Sequence, residues 1–241
     1  MEVVEPLLFF MDTIMTSTTT QKHVIIASPC YNEEEGIEAF IRAIQIEAGK
    51  LEAAGMRVTI LIIDDGSTDR VLEILHEHAD KDSRIQVAAF SRNFGHQAAV
   101  AAAIEIADGD ALIILDADLQ HPPEHISEMV ELWESGYDIV SMVRKTTASQ
   151  SILKTFTSRL FYKIFNNLSE TRVPDGAADF FLLSQDAHNA LKAMPEYHHF
   201  WRGMISWIGF RRCYIEFSSL ERFIWKLKKK KKKMLRMAFD G

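Results

Sequence analysis

The sequence predicts an α/β fold, a mostly parallel central sheet with helices on both faces. Short apolar runs rich in Ile, Val and Leu occur at His23–Ser28, Val58–Ile63, Ile85–Phe90 and Leu112–Leu115. Their continuous rather than alternating apolar character marks strands covered on both sides. Helical stretches separate the successive runs, and strand, loop and helix repeated four times is the pattern of parallel strands joined by crossovers.

Taken in order, the first run ends at Pro29, which disfavours helix in the residue before it. Asn32 is placed to cap the following helix, and Glu33, Glu34 and Glu35 suit its positive end. Ile37, Phe40, Ile41, Ile44 and Leu51 supply an apolar face at helical spacing, and Gly55 closes that helix. After the second run, a helix over 69–81 turns Val71, Leu72, Ile74 and Leu75 inward. The third run leads to an Ala-rich helix over 97–107, whose small side chains allow close packing on a sheet. Pro122-Pro123 opens an amphipathic helix with Ile126, Met129, Val130, Leu132 and Trp133, ended by Gly136. A strand over 137–143, a helix over 151–168, a strand entered from Val173-Pro174 and a short apolar helix within 200–210 complete the body. Residues 1–20 read as a flexible lead-in, 21–217 as the folded domain and 218–241 as a basic tail.

In such sheets ligands bind outside the carboxyl ends of the strands. Those ends carry Pro29 to Glu34, Asp64 to Asp69, Ser91 to Gly95 and Asp116 to Gln120. Any one of these acids could be a turn or cap residue, and Asp-x-Asp alone fits a strand-end loop with solvated carboxylates. Polar loops at four consecutive strand ends favour a binding rim. Strand alternation sends Asp116 and Asp118 to one side, where a hard divalent cation would relieve their repulsion and Gln120 could add a neutral oxygen. Arg202, among Phe200, Trp201 and Trp207, needs a partner because of the cost of desolvating its charge.

The 241 residues suffice for one sizeable core. The net charge of −7 hides an asymmetry: residues 221–241 carry a net +7, and the preceding 220 residues a net −14. An acidic body argues against nucleic-acid binding, which needs clustered Lys and Arg. Cys30 and Cys213 have no metal or disulfide spacing and read as small residues of a reduced cytosolic protein. Leu7–Met11 is too short to span a bilayer, and Glu2 and Glu5 stand where a signal peptide would be basic, so no signal peptide is expected; Met11 or Met15 could be the natural start. No later window reaches 18 apolar residues, and no transmembrane helix is expected.

Six pieces in order then carry a resemblance: Pro29-Cys30-Tyr31-Asn32-Glu33-Glu34, Asp64-Asp65-Gly66-Ser67-Thr68-Asp69, Ser91-Arg92-Asn93-Phe94-Gly95, Asp116-Ala117-Asp118-Leu119-Gln120 with Pro122-Pro123-Glu124, Ala178-Asp179-Phe180, and Phe200-Trp201-Arg202-Gly203. The chain resembles the inverting family 2 glycosyltransferases of the Rossmann-like GT-A fold. Within them it is similar to the polyprenyl-phosphate glycosyltransferases, the bactoprenol glucosyltransferase and dolichol-phosphate mannose synthase group. The resemblance implies a nucleotide-sugar donor, a UDP-sugar in preference to a GDP-sugar, with glucose as the hexose. Pro29, Tyr31, Asn32, Glu33 and Asp65 would hold base and ribose, with Ser91, Asn93 and Gly95 on the same donor rim. Asp116, Ala117, Asp118 and Gln120 would meet the diphosphate, with Asp116, Asp118 and Gln120 holding Mg²⁺ or Mn²⁺. The acceptor would be a polyprenyl phosphate, held by Arg144 and Arg159 with Arg202 as a third cation. Asp118, Arg144, Arg159 and Asp179 form the implied catalytic set, Asp179 orienting sugar hydroxyls or the arginines.

The chain departs from the family after Arg222. A loop of the form R-x-A-G-x-S-K-Y is replaced by Arg222-Phe223-Ile224-Trp225-Lys226-Leu227-Lys228-Lys229, and Lys continues to Lys233. The sequence also stops at Gly241, before the membrane helices such proteins carry. The expectation is a peripheral enzyme at the cytoplasmic face of the cell membrane, in contact through its basic tail, with homo-oligomerisation left open. Two alternatives stay open: a soluble glycosyltransferase acting on polysaccharide or protein glycan, and a nucleotide-sugar-binding remnant without turnover.

Overall fold

The computed structural model describes residues 21–144, 176–195 and 200–217. Seven strands form one sheet in the order β3-β2-β1-β4-β6-β5-β7. They are β1 (His23–Cys30), β2 (Arg57–Asp64), β3 (Ile85–Ala89), β4 (Ala111–Ile114), β5 (Ile139–Arg144), β6 (Ala177–Ser184) and β7 (Arg212–Phe217). β1 to β4 are mutually parallel, β6 runs antiparallel between β4 and β5, and β7 pairs parallel with β5. The expected mostly parallel sheet is therefore present, with one reversed strand.

Every position of β1 is buried, because its alternate side chains enter two separate cores. On one face Val24, Ile26 and Ile113 meet α1 (Ile37–Ala53), α2 (Val71–Ala79) and α4 (Ile126–Glu134) through Phe40, Ile41, Ile44, Leu75, Met129 and Val130. On the other, Ile25, Ala27, Leu112 and Ile114 meet α3 (His96–Ile106), α5 (Gln185–Lys192) and α6 (Trp201–Trp207). Each fully buried Ile or Phe contributes about 1.5–3 kcal/mol relative to exposure. The alanines of α3 do what their size predicts: Ala99 and Ala103 are fully buried against the sheet.

Several boundaries differ from expectation, each for a local reason. α1 begins after Gly36, because Gly36 and Ile37 both donate to the Glu33 carbonyl in a turn that separates Asn32 from the helix. Asn32 therefore caps nothing in α1. α2 begins at Val71, whose N–H is taken by Asp69 Oδ1 at 3.1 Å. Pro123–His125 forms a single 3₁₀ turn ahead of α4. β5 starts at Ile139, since Gly136 and Tyr137 close the preceding helix. Neither α5 nor β7 was expected; Ser184 caps α5 by accepting from the Ala187 N–H at 3.3 Å. The helix expected over 151–168, the lead-in and the basic tail lie outside the described residues. Among the described residues no helix is long and apolar enough to cross a membrane.

Candidate active site

A cleft of about 520 Å³ opens at the carboxyl ends of β1, β2 and β4. Pro29, Cys30, Tyr31 and Glu33 line it from the first loop, Asp65 from the second, and Asn93, Gly95, His96 and Ala99 from the third and the start of α3. Asp116, Ala117 and Asp118 follow β4, and Asp179 enters from the start of β6. This volume lies within the range of small-ligand sites.

The first three loops are tied to one another. The buried Asp65 carboxylate accepts the Phe94 N–H at 2.7 Å, the Gly95 N–H at 2.9 Å and the Asn93 side-chain amide at 2.9 Å. Asn32, in a left-handed conformation with φ 50, accepts the Thr68 N–H at 2.8 Å, and its own N–H donates to Ser67 Oγ at 2.9 Å. Gly66 permits the closest approach: with φ +66, a Cβ there would collide with the Arg92 backbone carbonyl. Only glycine accommodates both the backbone angle and that contact. Burial, then the surrounding carboxylates, raises the Cys30 thiol well above its ordinary range, so this cysteine is an apolar wall element.

The chemistry concentrates around Asp116. Its carboxyl is pushed up to about 7 by burial and then by the charges of Asp118 and Asp179, against which Arg202 and Arg144 act. Two histidines flank it. His96 Nε2 lies 3.6 Å from Oδ1 and 3.9 Å from Asp179 Oδ2, while His121 Nδ1 lies 3.7 Å from Oδ2. Burial pushes His121 down to about 4, so its ring is neutral near physiological pH. Leu119 adopts φ 58, and in that tight turn Asp118 accepts both the backbone and side-chain N–H of Gln120. A bulky residue in the left-handed region is uncommon and signals a constrained loop. Arg202 of α6 forks onto Asp179 of β6 at 2.8 and 2.7 Å. This is the partner its apolar surroundings required. Arg144, at the end of β5, lies 5.9 Å from the Phe217 ring centre.

Of the sequence-predicted residues, Pro29, Tyr31, Glu33, Asp65, Asn93, Gly95, Asp116, Ala117, Asp118 and Asp179 line the cleft. Asn32, Ser91 and Gln120 do not: Asn32 braces two loops, Ser91 is exposed, and the Gln120 amide is turned onto Asp118. Arg144 and Arg202 stand close enough to act on Asp116 electrostatically. Arg159 lies outside the described residues. Sequence reasoning missed His96 and His121. Their only signal was adjacency to the Asn93–Gly95 and Asp116–Gln120 segments.

The donor set suits a hard divalent cation, because the carboxylate charge gathered at Asp116 and Asp118 exceeds what the arginines offset. Among the described residues no three His, Cys, Asp or Glu side chains form a ready-made ligand cage. Mg²⁺ typically binds through one or two carboxylates and completes its shell with substrate phosphates and water.

Fold and rim together define an α/β domain whose strand ends open a cleft lined by paired carboxylates. Residues 25–192 match the model of the glycosyl transferase family 2 family. The chain is 37% identical over 217 residues to an uncharacterized glycosyltransferase of Bacillus subtilis (strain 168), covering 90% of this chain and 66% of that relative. It is 34% identical over 218 residues to a prophage bactoprenol glucosyl transferase homolog of Escherichia coli (strain K12), covering 90% and 70%. The chain thus spans about two thirds of the length of these curated relatives. Among solved structures, a mannosyltransferase from Pyrobaculum calidifontis in complex with GDP-Man and Mn²⁺ superposes with TM-score 0.56 at 18% identity, covering 85% of this chain and 58% of that one. Glucosyl-3-phosphoglycerate synthase from Mycobacterium tuberculosis, with Mn²⁺, UDP and glucosyl-3-phosphoglycerate, gives 0.57 at 15% identity, covering 86% and 75%. The chain belongs to glycosyl transferase family 2 and has the GT-A fold.

Proposed function

We propose that this domain transfers a hexose, glucose from UDP-glucose, to a polyprenyl phosphate at the cytoplasmic face of the membrane, with Mg²⁺ or Mn²⁺. The bactoprenol glucosyl transferases among its relatives support the acceptor class, and the neighbours solved with UDP or GDP-Man and Mn²⁺ support the donor class. Asp116 and Asp118 would hold the cation. When bound, it would offset the charge that grows on the leaving nucleotide diphosphate.

The Asp179–Arg202 fork is the observation that favours a phosphate over a hydroxyl acceptor. A sugar hydroxyl needs a general base. Asp179, the cleft carboxylate that meets Arg202, has both oxygens committed to that guanidinium. A phosphate monoester, with a second pKa of about 6, arrives largely dianionic near neutral pH and needs no base. Its oxygen attacks the anomeric carbon as the bond to the diphosphate oxygen breaks, and the electron pair leaves with the nucleotide. One in-line displacement inverts that carbon. Arg144 and Arg159 hold the attacking phosphate, Arg202 keeps Asp179 in place, and the loop from Pro29 to Glu33 orients the nucleoside end.

Labelled UDP-glucose incubated with the protein, Mn²⁺ and undecaprenyl phosphate should pass its label into the lipid fraction. Absence of transfer to lipid from every common UDP- and GDP-hexose would overturn the proposal.

A further inference from the structure

His121 is 4% exposed, and its Nδ1 has no hydrogen-bond partner. A buried polar atom without a partner is costly, so a site that retains one needs a reason. The ring is fixed on two sides. Phe180 of β6 lies tilted at 5.6 Å between centroids, and Phe217, the last residue of β7, meets it edge-on at 5.7 Å. Those contacts aim Nδ1 at Asp116 Oδ2 across 3.7 Å, a gap longer than a hydrogen bond. Asp116 lines the cleft and is one of the two proposed ligands of the divalent ion. Carboxylates that ligate metals are themselves hydrogen-bonded, and losing such a partner typically costs about 10–100-fold in metal affinity.

We infer that His121 is a positioning residue for the cation site: its clamped imidazole donates from Nδ1 to Asp116 Oδ2 when that carboxylate turns onto a divalent ion, and so fixes the carboxylate's orientation. This rests on the reading that Asp116 and Asp118 hold the ion. It assigns a role to a side chain that does not line the cleft. It also explains why an imidazole, rather than a third apolar ring, lies between Phe180 and Phe217. His96 is 39% exposed and stands between Asp116 and Asp179 on the cleft wall.

The test uses the full chain, with Mn²⁺ affinity in saturating UDP read by the resonance of free Mn²⁺ and stability read by thermal melting. His121→Phe removes the unpartnered nitrogen while filling the same space, and should melt at or above the parent temperature. Its Mn²⁺ dissociation constant should nevertheless rise by about tenfold, with metal-free UDP binding unchanged. His121→Gln, which restores an N–H donor, should recover most of that loss; it decides the matter if the Phe variant fails to fold, because Mn²⁺ binding weakened tenfold or more in Gln would then overturn the inference. Unchanged Mn²⁺ affinity in a folded His121→Phe protein also overturns it. Parent protein that binds no Mn²⁺ with UDP would instead sink the cation reading of Asp116 and Asp118, and this inference with it.

Discussion

At the scale of single residues, Asp116 answers to two opposed demands. Its charge is disfavoured by burial and by Asp118 and Asp179, yet those same carboxylates are what would attract a cation. Groups in such positions reduce stability for the sake of function. Asp116→Asn in metal-free buffer at pH 8 should therefore raise the melting temperature, since it removes an ionised carboxylate from a crowd of like charge. A gain of about 1–2 kcal/mol corresponds to about 2–8 °C for a chain of this size. The same substitution should abolish the Mn²⁺ dependence of UDP binding in calorimetry. A variant that is destabilised and still binds UDP in a Mn²⁺-dependent way would contradict the assignment. The acids of this site were legible in the sequence because they stand at the ends of apolar runs. What was not legible is how each is occupied. Asp65 is met by groups 28 to 30 positions away, and Arg202 reaches back 23 positions to Asp179. No local pattern records such distances.

At the scale of elements, strands covered on both sides announced themselves and half-exposed ones did not. β1, β2 and β4 are runs of branched apolar residues. In β7 the buried Ile215 and Phe217 alternate with the exposed Tyr214 and Glu216, a signal of period two that Arg211 and Arg212 preceded and obscured. α5 buries only Ala187, His188 and Leu191, and its start is marked by one serine. Elements are also joined through turns, and the one between α2 and β3 carries a charged latch. Asp82 accepts from Arg84 Nε at 2.8 Å and Nη2 at 2.7 Å and from Gln45 of α1 at 2.7 Å, while Arg84 reaches Glu52 of α1 at 2.7 Å. Arg84 first, and Gln45 with it, holds the Asp82 carboxyl well below its ordinary value. A depressed carboxyl stabilises the fold fully above its unfolded pKa, and that stabilisation is lost as pH falls through the interval below. Both side chains are largely covered, at 13% and 24% exposure, so Asp82→Asn should cost about 1–3 kcal/mol at pH 7. Urea melts should show the gap to the parent narrowing once pH drops below about 4. A gap constant from pH 7 to pH 3 would mean that the latch acts through shape rather than charge.

At the scale of the whole molecule, topology decides what stands beside the cleft. β7 runs parallel to β5, and the two antiparallel pairings of β6 make β5 parallel to β4 and β1. Phe217 therefore leaves the sheet at the same rim as Asp116, packed on His121 and near Arg144. The chain that follows carries a net +7 over residues 221–241, while the rest of the protein carries −14. An anionic leaflet repels such a body and attracts such a tail. Each lysine close to the surface is worth about 1 kcal/mol, and the attraction fades beyond a Debye length of about 8 Å at physiological ionic strength. If the tail brings the rim to the membrane, truncation after Phe217 should leave Mn²⁺-dependent UDP binding within about twofold of the full chain. The Asp65 carboxylate, after all, is held by the Phe94 and Gly95 backbone N–H groups, all of which the truncated chain keeps. Co-sedimentation with vesicles rich in phosphatidylglycerol should fall at least tenfold on truncation, which is about 1.4 kcal/mol and well below what six lysines can supply. The full chain should in turn be released by molar salt. A truncated chain that sediments as well as the full one would place the membrane contact on the acidic body, against its charge, and the tail would then have to be assigned another partner.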